Sequence, residues 1–264
     1  REPLTGELLA VMTQRTATPA ANQLNKSLFR SIAALSSPSP EPALLIFDLD
    51  GTLVDSGPQI TRAWGRILAR LGRAALPQDQ VETMVGDGAA KLVERGLAAT
   101  GGKPETPAFD DIVDQYAQVL AREPLNGDDL YPGVPETLRN LAYAGHQMAI
   151  CTNKPAAAAE TALSMTAIRS YFELVIGGDS ATALKPDPAP VRAILNQLRR
   201  KPDQAVMIGD HGNDVRAARA AGVPSILVSY GYPDKDPELP AANRIDHFDA
   251  LPAAIAEISR ARIL

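Results

Sequence analysis

From residue 42 onward two hydrophobic rhythms alternate along the chain. Short, nearly unbroken apolar runs occupy 43–48, 147–152, 172–177, 204–209 and 225–230, and stretches with apolar residues at helical spacing cover 135–145, 155–165, 188–200 and 212–221. An apolar run without alternation is a strand covered on both faces. Strands separated by helices pair in parallel, because a parallel pair needs a crossover connection. Local punctuation agrees: Pro135 lies near a helix start, Gly145 at an end, and Gly222-Val223-Pro224 closes the last helical stretch. The pattern predicts a doubly wound α/β domain built on a Rossmann-like parallel sheet.

One region breaks the alternation. Residues 58–130 carry helical patterns over 59–72, 88–99 and 108–121 with no strand among them, and Gly and Pro mark both joints, at Gly57-Pro58 and from Asn126-Gly127 through Tyr131-Pro132-Gly133. A helical insert between the first strand and the rest of the sheet predicts a small cap on two hinges. The expected division is an extension over 1–41, a core of 42–57 plus 131–264, and a helical cap over 58–130.

The first forty residues differ in composition. Between Val11 and Pro40 there is no acidic residue, only Arg15, Lys26 and Arg30 among many Ala, Ser and Thr. That reads as a disordered extension, with organellar targeting the alternative. A net charge of −5 and a pI near 5.3 argue against a nucleic-acid-binding surface. Apolar runs such as 43–47 fall far short of the roughly 20 residues that span a bilayer. The single cysteine, Cys151, excludes an internal disulfide framework and fits a reducing, cytoplasmic compartment. There is no internal repeat and no GxxxxGK[ST] phosphate loop; "TGGKPE" lacks the preceding glycine and the following hydroxyl.

In an open parallel sheet, ligands bind at the carboxyl ends of the strands. The first strand delivers Asp48 and Asp50, the second Thr152 and Asn153, and the third is followed by Lys185. The fourth delivers Asp210, with Asp214 four residues on. Two carboxylates roughly 4 Å apart repel by about 4 kcal/mol at an effective dielectric of 20. Such a cluster calls for a cation, or for a reaction that uses both acids.

"DLDGTLVDS", "TNKP", "KPDPAP" and "GDHGND" resemble the four motifs of the haloacid dehalogenase superfamily of phosphotransferases. Within it the chain is most similar to phosphoglycolate phosphatases, through "VGDGAAKLVERGL", "YPGV", "VIGGDS" and "VSYGY". The resemblance implies Asp48 as nucleophile, Asp50 as general acid and base, and Thr152 and Lys185 on the phosphoryl oxygens. It also implies Mg²⁺ held by Asp48, Asp210 and the backbone carbonyl of Asp50, with Asp214 a further metal ligand or one step removed from the ion. Gly51, Thr52 and Asn153 would help bind substrate, a small phosphate ester rather than nucleic acid or membrane, in a monomer or homodimer. Dehalogenases of the superfamily generally lack an acid at the second position, so Asp50 argues for phosphoryl transfer.

In the insert, Lys91 and Arg95 lie four apart on one helix face and are candidates to clamp a substrate carboxylate, against the alternative of a solvated face with Glu94 nearby. Lys154 divides evenly between site and surface. His211 departs from the small hydroxyl residue that relatives usually carry there. His146 and His247 read as surface, Cys151 and Trp64 as core. The function this implies is Mg²⁺-dependent hydrolysis of 2-phosphoglycolate. The rivals are a phosphatase or mutase of another sugar or nucleotide phosphate, and a non-catalytic binding relative.

Overall fold

The computed structural model describes residues 43–232 and 240–261; the extension expected over 1–41 lies outside the described residues. Six strands form one parallel sheet in the order β3-β2-β1-β4-β5-β6: β1 Leu44–Phe47, β2 Gln147–Cys151, β3 Leu174–Ile176, β4 Ala205–Gly209, β5 Ser225–Val228 and β6 Asn243–Ile245. The chain leaves β1 toward one edge and returns beside it as β4. The strand order therefore reverses at β1 and β4, opening a crevice at their carboxyl ends.

Successive residues of β1 serve opposite faces. Leu45 and Phe47 join Ile150, Ile208 and Val228 under helices α5 (Val134–Tyr143), α6 (Ala156–Met165) and α9 (Leu251–Ala261). Leu44 and Ile46 join Ala149 and Met207 under α7 (Ala189–Gln197) and α8 (Gly212–Ala221). Both faces are thus dry, as the unbroken apolar runs require. Helix ends follow the sequence punctuation: Pro135 enters the first turn of α5, and Gly222 closes α8 with a left-handed φ of 78°.

Between β1 and α5 lie α1 (Gly57–Arg70), α2 (Gln78–Glu82), α3 (Ala89–Ala99) and α4 (Phe109–Leu120). They bury a cluster largely their own, with Ile60, Trp64, Leu68, Val93, Leu97 and Tyr116 at its centre and Ala158 of α6 at its edge. Trp64 is fully buried and stacks edge-on against Tyr116 at 6.0 Å, the core role expected of it. Each buried Leu or Ile here stabilises by about 1.5–3 kcal/mol, so the cluster suffices to hold four short helices together. Among the described residues no helix is long and apolar enough to cross a membrane.

The sequence pattern missed three elements. β6 has three residues with Arg244 exposed, and α2 has five with only Val81 buried, so neither carries enough periodicity to register. α9 packs Leu251, Ala254, Ile255 and Ile258 under the sheet, and its alanines on both faces blur the apolar stripe that marks a helix.

Candidate active site

Asp48 follows β1 directly, its N–H donating to the Ile208 carbonyl at 2.9 Å, and Asp210 follows β4 in the same way one strand over. Asp214 sits in the first turn of α8. Carboxylate oxygens of Asp48, Asp210 and Asp214 all lie within 4.8 Å of one another, and all three residues are buried. Two glycines make this crowding possible. A Cβ on Gly51, whose φ is +82°, would lie 2.2 Å from Asp210 Oδ2, and one on Gly209 would lie 2.3 Å from the Asp214 carboxyl carbon.

The buried cation among them is Lys185. Its Nζ donates to Asp214 Oδ1 at 2.6 Å and the Cys151 carbonyl at 2.5 Å, and lies 3.0 Å from Asp48 Oδ1. Burial works to lower the ammonium's pKa, but the Asp214 and Asp48 charges outweigh it and hold the group above its ordinary value. Burial pushes the Asp48 carboxyl up to about 7, with Lys185 pulling the other way and Asp214 adding to the rise. Burial, then the charges of Asp48 and Asp214, likewise raise Asp210 well above the carboxylate range. Three acids confined with one base are under-neutralised, which is the electrostatic signature of a cation site.

Asp50 is held differently. Its Oδ1 accepts from Ser56 Oγ at 2.6 Å and Lys154 Nζ at 2.7 Å, and Ser56 in turn lies 3.3 Å from the Tyr232 hydroxyl. Lys154 is therefore inside the site, its side chain 1% exposed, which settles the even division of the sequence reading. Tyr232 is a further residue the sequence reading did not find. Its N–H donates to Asp210 Oδ2 at 3.0 Å and its ring lines the cleft.

Several residues expected to contact substrate also hold the site together. The Thr52 hydroxyl donates to Asp210 Oδ1 at 2.9 Å, and the Gly51 N–H donates to the Val54 carbonyl at 2.9 Å. The Asn153 amide donates to the carbonyls of Lys185 and Gly86 at 2.8 and 2.9 Å, while its oxygen accepts the Lys185 N–H at 2.9 Å. Asn153 thus pins the Lys185 loop and the segment before α3 to the end of β2. Thr152 borders the cleft, its oxygen accepting the Lys154 N–H at 3.2 Å while its own proton stays available for donation.

The cleft these residues floor has an empty volume, counting the part open to solvent, of about 550 Å³. Its opposite wall is apolar: Ile60, Val85, Leu92, Tyr116 and Leu120. Lys91 and Arg95 do not line it. Lys91 pairs with Glu94 at 2.7 Å on an exposed face, and Arg95 is bound to Asp87 and, at 3.1 Å, to the Met84 carbonyl. Asp87 also accepts from Asn213 Nδ2 at 2.7 Å. Although partial burial works the other way, these hydrogen bonds from Asn213 and Arg95 hold its carboxyl below the usual range. Both residues of the expected clamp are thus paired with local acids, and Arg95 braces the segment before α3. His211 caps α8, its Nδ1 accepting the Asn213 N–H at 3.2 Å, and its ring borders the cleft.

A parallel α/β sheet with acids at the ends of β1 and β4, a buried lysine between them and a helical insert over the crevice defines a recognisable class. The family model for haloacid dehalogenase-like hydrolases matches residues 45–228, and the chain belongs to that family. Two curated relatives are phosphoglycolate phosphatases. The one from Rhodospirillum rubrum is 44% identical over 197 residues, 72% of this chain and 81% of the relative. The one from Caulobacter vibrioides is 40% identical over 205 residues, 78% and 86%. A solved structure of a predicted phosphoglycolate phosphatase from Haemophilus somnus superposes with a TM-score of 0.72 at 27% identity, covering 81% of this chain and 98% of that one. The chain is accordingly an enzyme of the phosphatase kind.

Proposed function

We propose that the chain hydrolyses 2-phosphoglycolate to glycolate and inorganic phosphate, with Mg²⁺ as cofactor and an aspartyl-phosphate on Asp48 as intermediate. The observation that carries this reading is the meeting of Asp48, Asp210 and Asp214 with Lys185 where the strand order reverses. Three buried carboxylates against one ammonium fit a hard divalent cation with an all-oxygen donor set. Asp48, Asp210 and the backbone carbonyl of Asp50 would hold it. Asp214 would steady the arrangement indirectly, since its two oxygens accept from Lys185 Nζ and the His211 N–H. When bound, the ion offsets the negative charge of the phosphate and the acids around it.

This chain's own residues do the rest. An Asp48 oxygen bonds to phosphorus as the bond to the leaving alkoxide breaks, and Asp50 gives that alkoxide its proton. Asp50 then takes a proton from the water that attacks the aspartyl-phosphate, releasing phosphate and restoring both acids. Lys185 and the Thr152 hydroxyl hold the phosphoryl oxygens, and positioning and electrostatics supply most of the acceleration. Helices α1–α4 act as a cap that excludes water and limits the leaving group. Their separate hydrophobic cluster and the glycine and proline joints at both ends support that role. The single, buried Cys151 supports a reducing, cytoplasmic setting.

Phosphate release from a panel of phosphate esters, with Mg²⁺ and with a chelator, tests the reading. Metal-dependent turnover with 2-phosphoglycolate preferred is the expected result; full activity after exhaustive chelation contradicts the cofactor.

A further inference from the structure

A substrate whose alcohol ends in a carboxylate needs a cation close to the leaving oxygen, and the cleft offers few. Its helical wall is apolar. Lys91 and Arg95 lie outside the lining and are bound to Glu94 and Asp87. Lys185 is committed to Asp214, the Cys151 carbonyl and Asp48 and, in the reading above, to the phosphoryl oxygens rather than the leaving group. The His211 ring is engaged in capping α8, its Nδ1 accepting the Asn213 N–H.

Lys154 is different. It lines the cleft next to the proton donor, and its ammonium has two acceptors, Asp50 Oδ1 at 2.7 Å and Gln59 Oε1 at 3.2 Å. One of its three protons is left for a ligand. Gln59 is itself fixed, its amide donating to the Glu123 carbonyl at 3.0 Å, so the ammonium is held in place before substrate arrives. The leaving oxygen must come within hydrogen-bond distance of Asp50 to receive its proton. That puts it within about 7.5 Å of the Lys154 nitrogen, two hydrogen-bond lengths plus the width of the carboxyl.

We propose that Lys154 determines specificity: its ammonium receives the anionic end of the leaving group, favouring esters whose carboxylate stands one carbon from the ester oxygen. This inference rests on the phosphatase reading above. A carboxylate at that spacing spans the gap between Asp50 and the ammonium, making a charge-assisted hydrogen bond away from bulk water. A neutral end of equal size fits the same space without that bond. A longer end runs into Ile60, Leu92, Tyr116 and Leu120.

The test compares kcat/KM for 2-phosphoglycolate and for ethyl phosphate, an ester of similar size whose alcohol carries no charge, in the wild type, Lys154→Met and Lys154→Arg. Both rates will fall in the Met variant, because Asp50 loses a partner, but the ratio of the two should fall by a further ten- to a hundredfold. The Arg variant should keep most of the ratio. If Lys154→Met lowers both substrates equally, Lys154 merely positions Asp50 and the inference is overturned. Failure of the underlying reading shows separately, as a wild type that does not turn over 2-phosphoglycolate. Should the Met variant not fold, inhibition of the wild type decides. Glycolate should compete with ethyl phosphate at least about tenfold better than ethylene glycol does, and equal inhibition overturns the proposal.

Discussion

The two walls of the cleft are built on opposite terms. On the sheet side, Asp48, Asp210, Asp214, Lys154 and Lys185 are all at most 8% exposed, and each charge is fixed by partners drawn from distant parts of the chain. On the helix side the wall is Ile60, Val85, Leu92, Tyr116 and Leu120, and charges such as Lys91 and Glu94 face outward. Buried charge is costly unless paired, so the sheet wall leans on its dense hydrogen bonding and still holds more acids than bases. The helix wall is cheap, stable and chemically inert. In the proposed function, reaction chemistry is therefore assigned to the strand ends, and the helices are assigned shape and dryness.

Breaking the sheet wall should have the largest consequences. Asp48→Asn removes the attacking carboxylate and should lower kcat by about three orders of magnitude or more, measured as phosphate release. A residual rate within tenfold of wild type would move the nucleophile elsewhere. Thr52→Val leaves every acid in place but frees Asp210 from its hydroxyl partner. It should weaken Mg²⁺ binding by about ten- to a hundredfold in a calorimetric titration, as loss of a ligand's supporting hydrogen bond typically does.

Titration sharpens the same contrast. The folded Asp48 carboxyl, at about 7 against an ordinary 3.8, holds its proton more tightly than the unfolded chain does. Its contribution to metal-free stability is therefore present below the unfolded value and is lost as pH rises between those two values, and Asp210 acts in the same direction. Mg²⁺ competes with these protons. The rise in Tm on adding Mg²⁺ should be small at pH 5 and larger at pH 8; equal increments at both would mean the ion does not meet these acids. The smallest effect belongs to the outer face of the helix wall. Lys91→Ala should change kcat/KM by less than about twofold for any ester, since its partner is an exposed neighbour three residues away.

What the sequence revealed follows from the range of each interaction. The strand ends were legible because an apolar run ending in Asp48 or Asp210 is a local pattern, and the fold then brings all of them to one place. Hydrophobic rhythm likewise marked α1, α3 and α4 within a residue or two of their ends. The partners of Thr52 and Lys154 were not legible, because Asp210 lies 158 residues from the first and Asp50 104 from the second. For Lys91 and Arg95 the partners were local: Glu94 and Asp87 stand within eight residues of them, and Glu94 already marked the solvated-face alternative to a clamp. β6 and α2 were too short and too polar for a periodic signal to form.

The claim that binds these observations together is that the sheet wall alone carries the covalent chemistry, with Asp48 as its nucleophile. Rapid acid quenching during turnover of phosphate-labelled substrate, followed by mass-spectrometric mapping, addresses it most directly. The account predicts a phosphoryl group on Asp48, accumulating further in Asp50→Asn, where the water that should release it lacks its base. Label recovered on another residue, or an unmodified Asp48 in an enzyme that is visibly turning over, would contradict it.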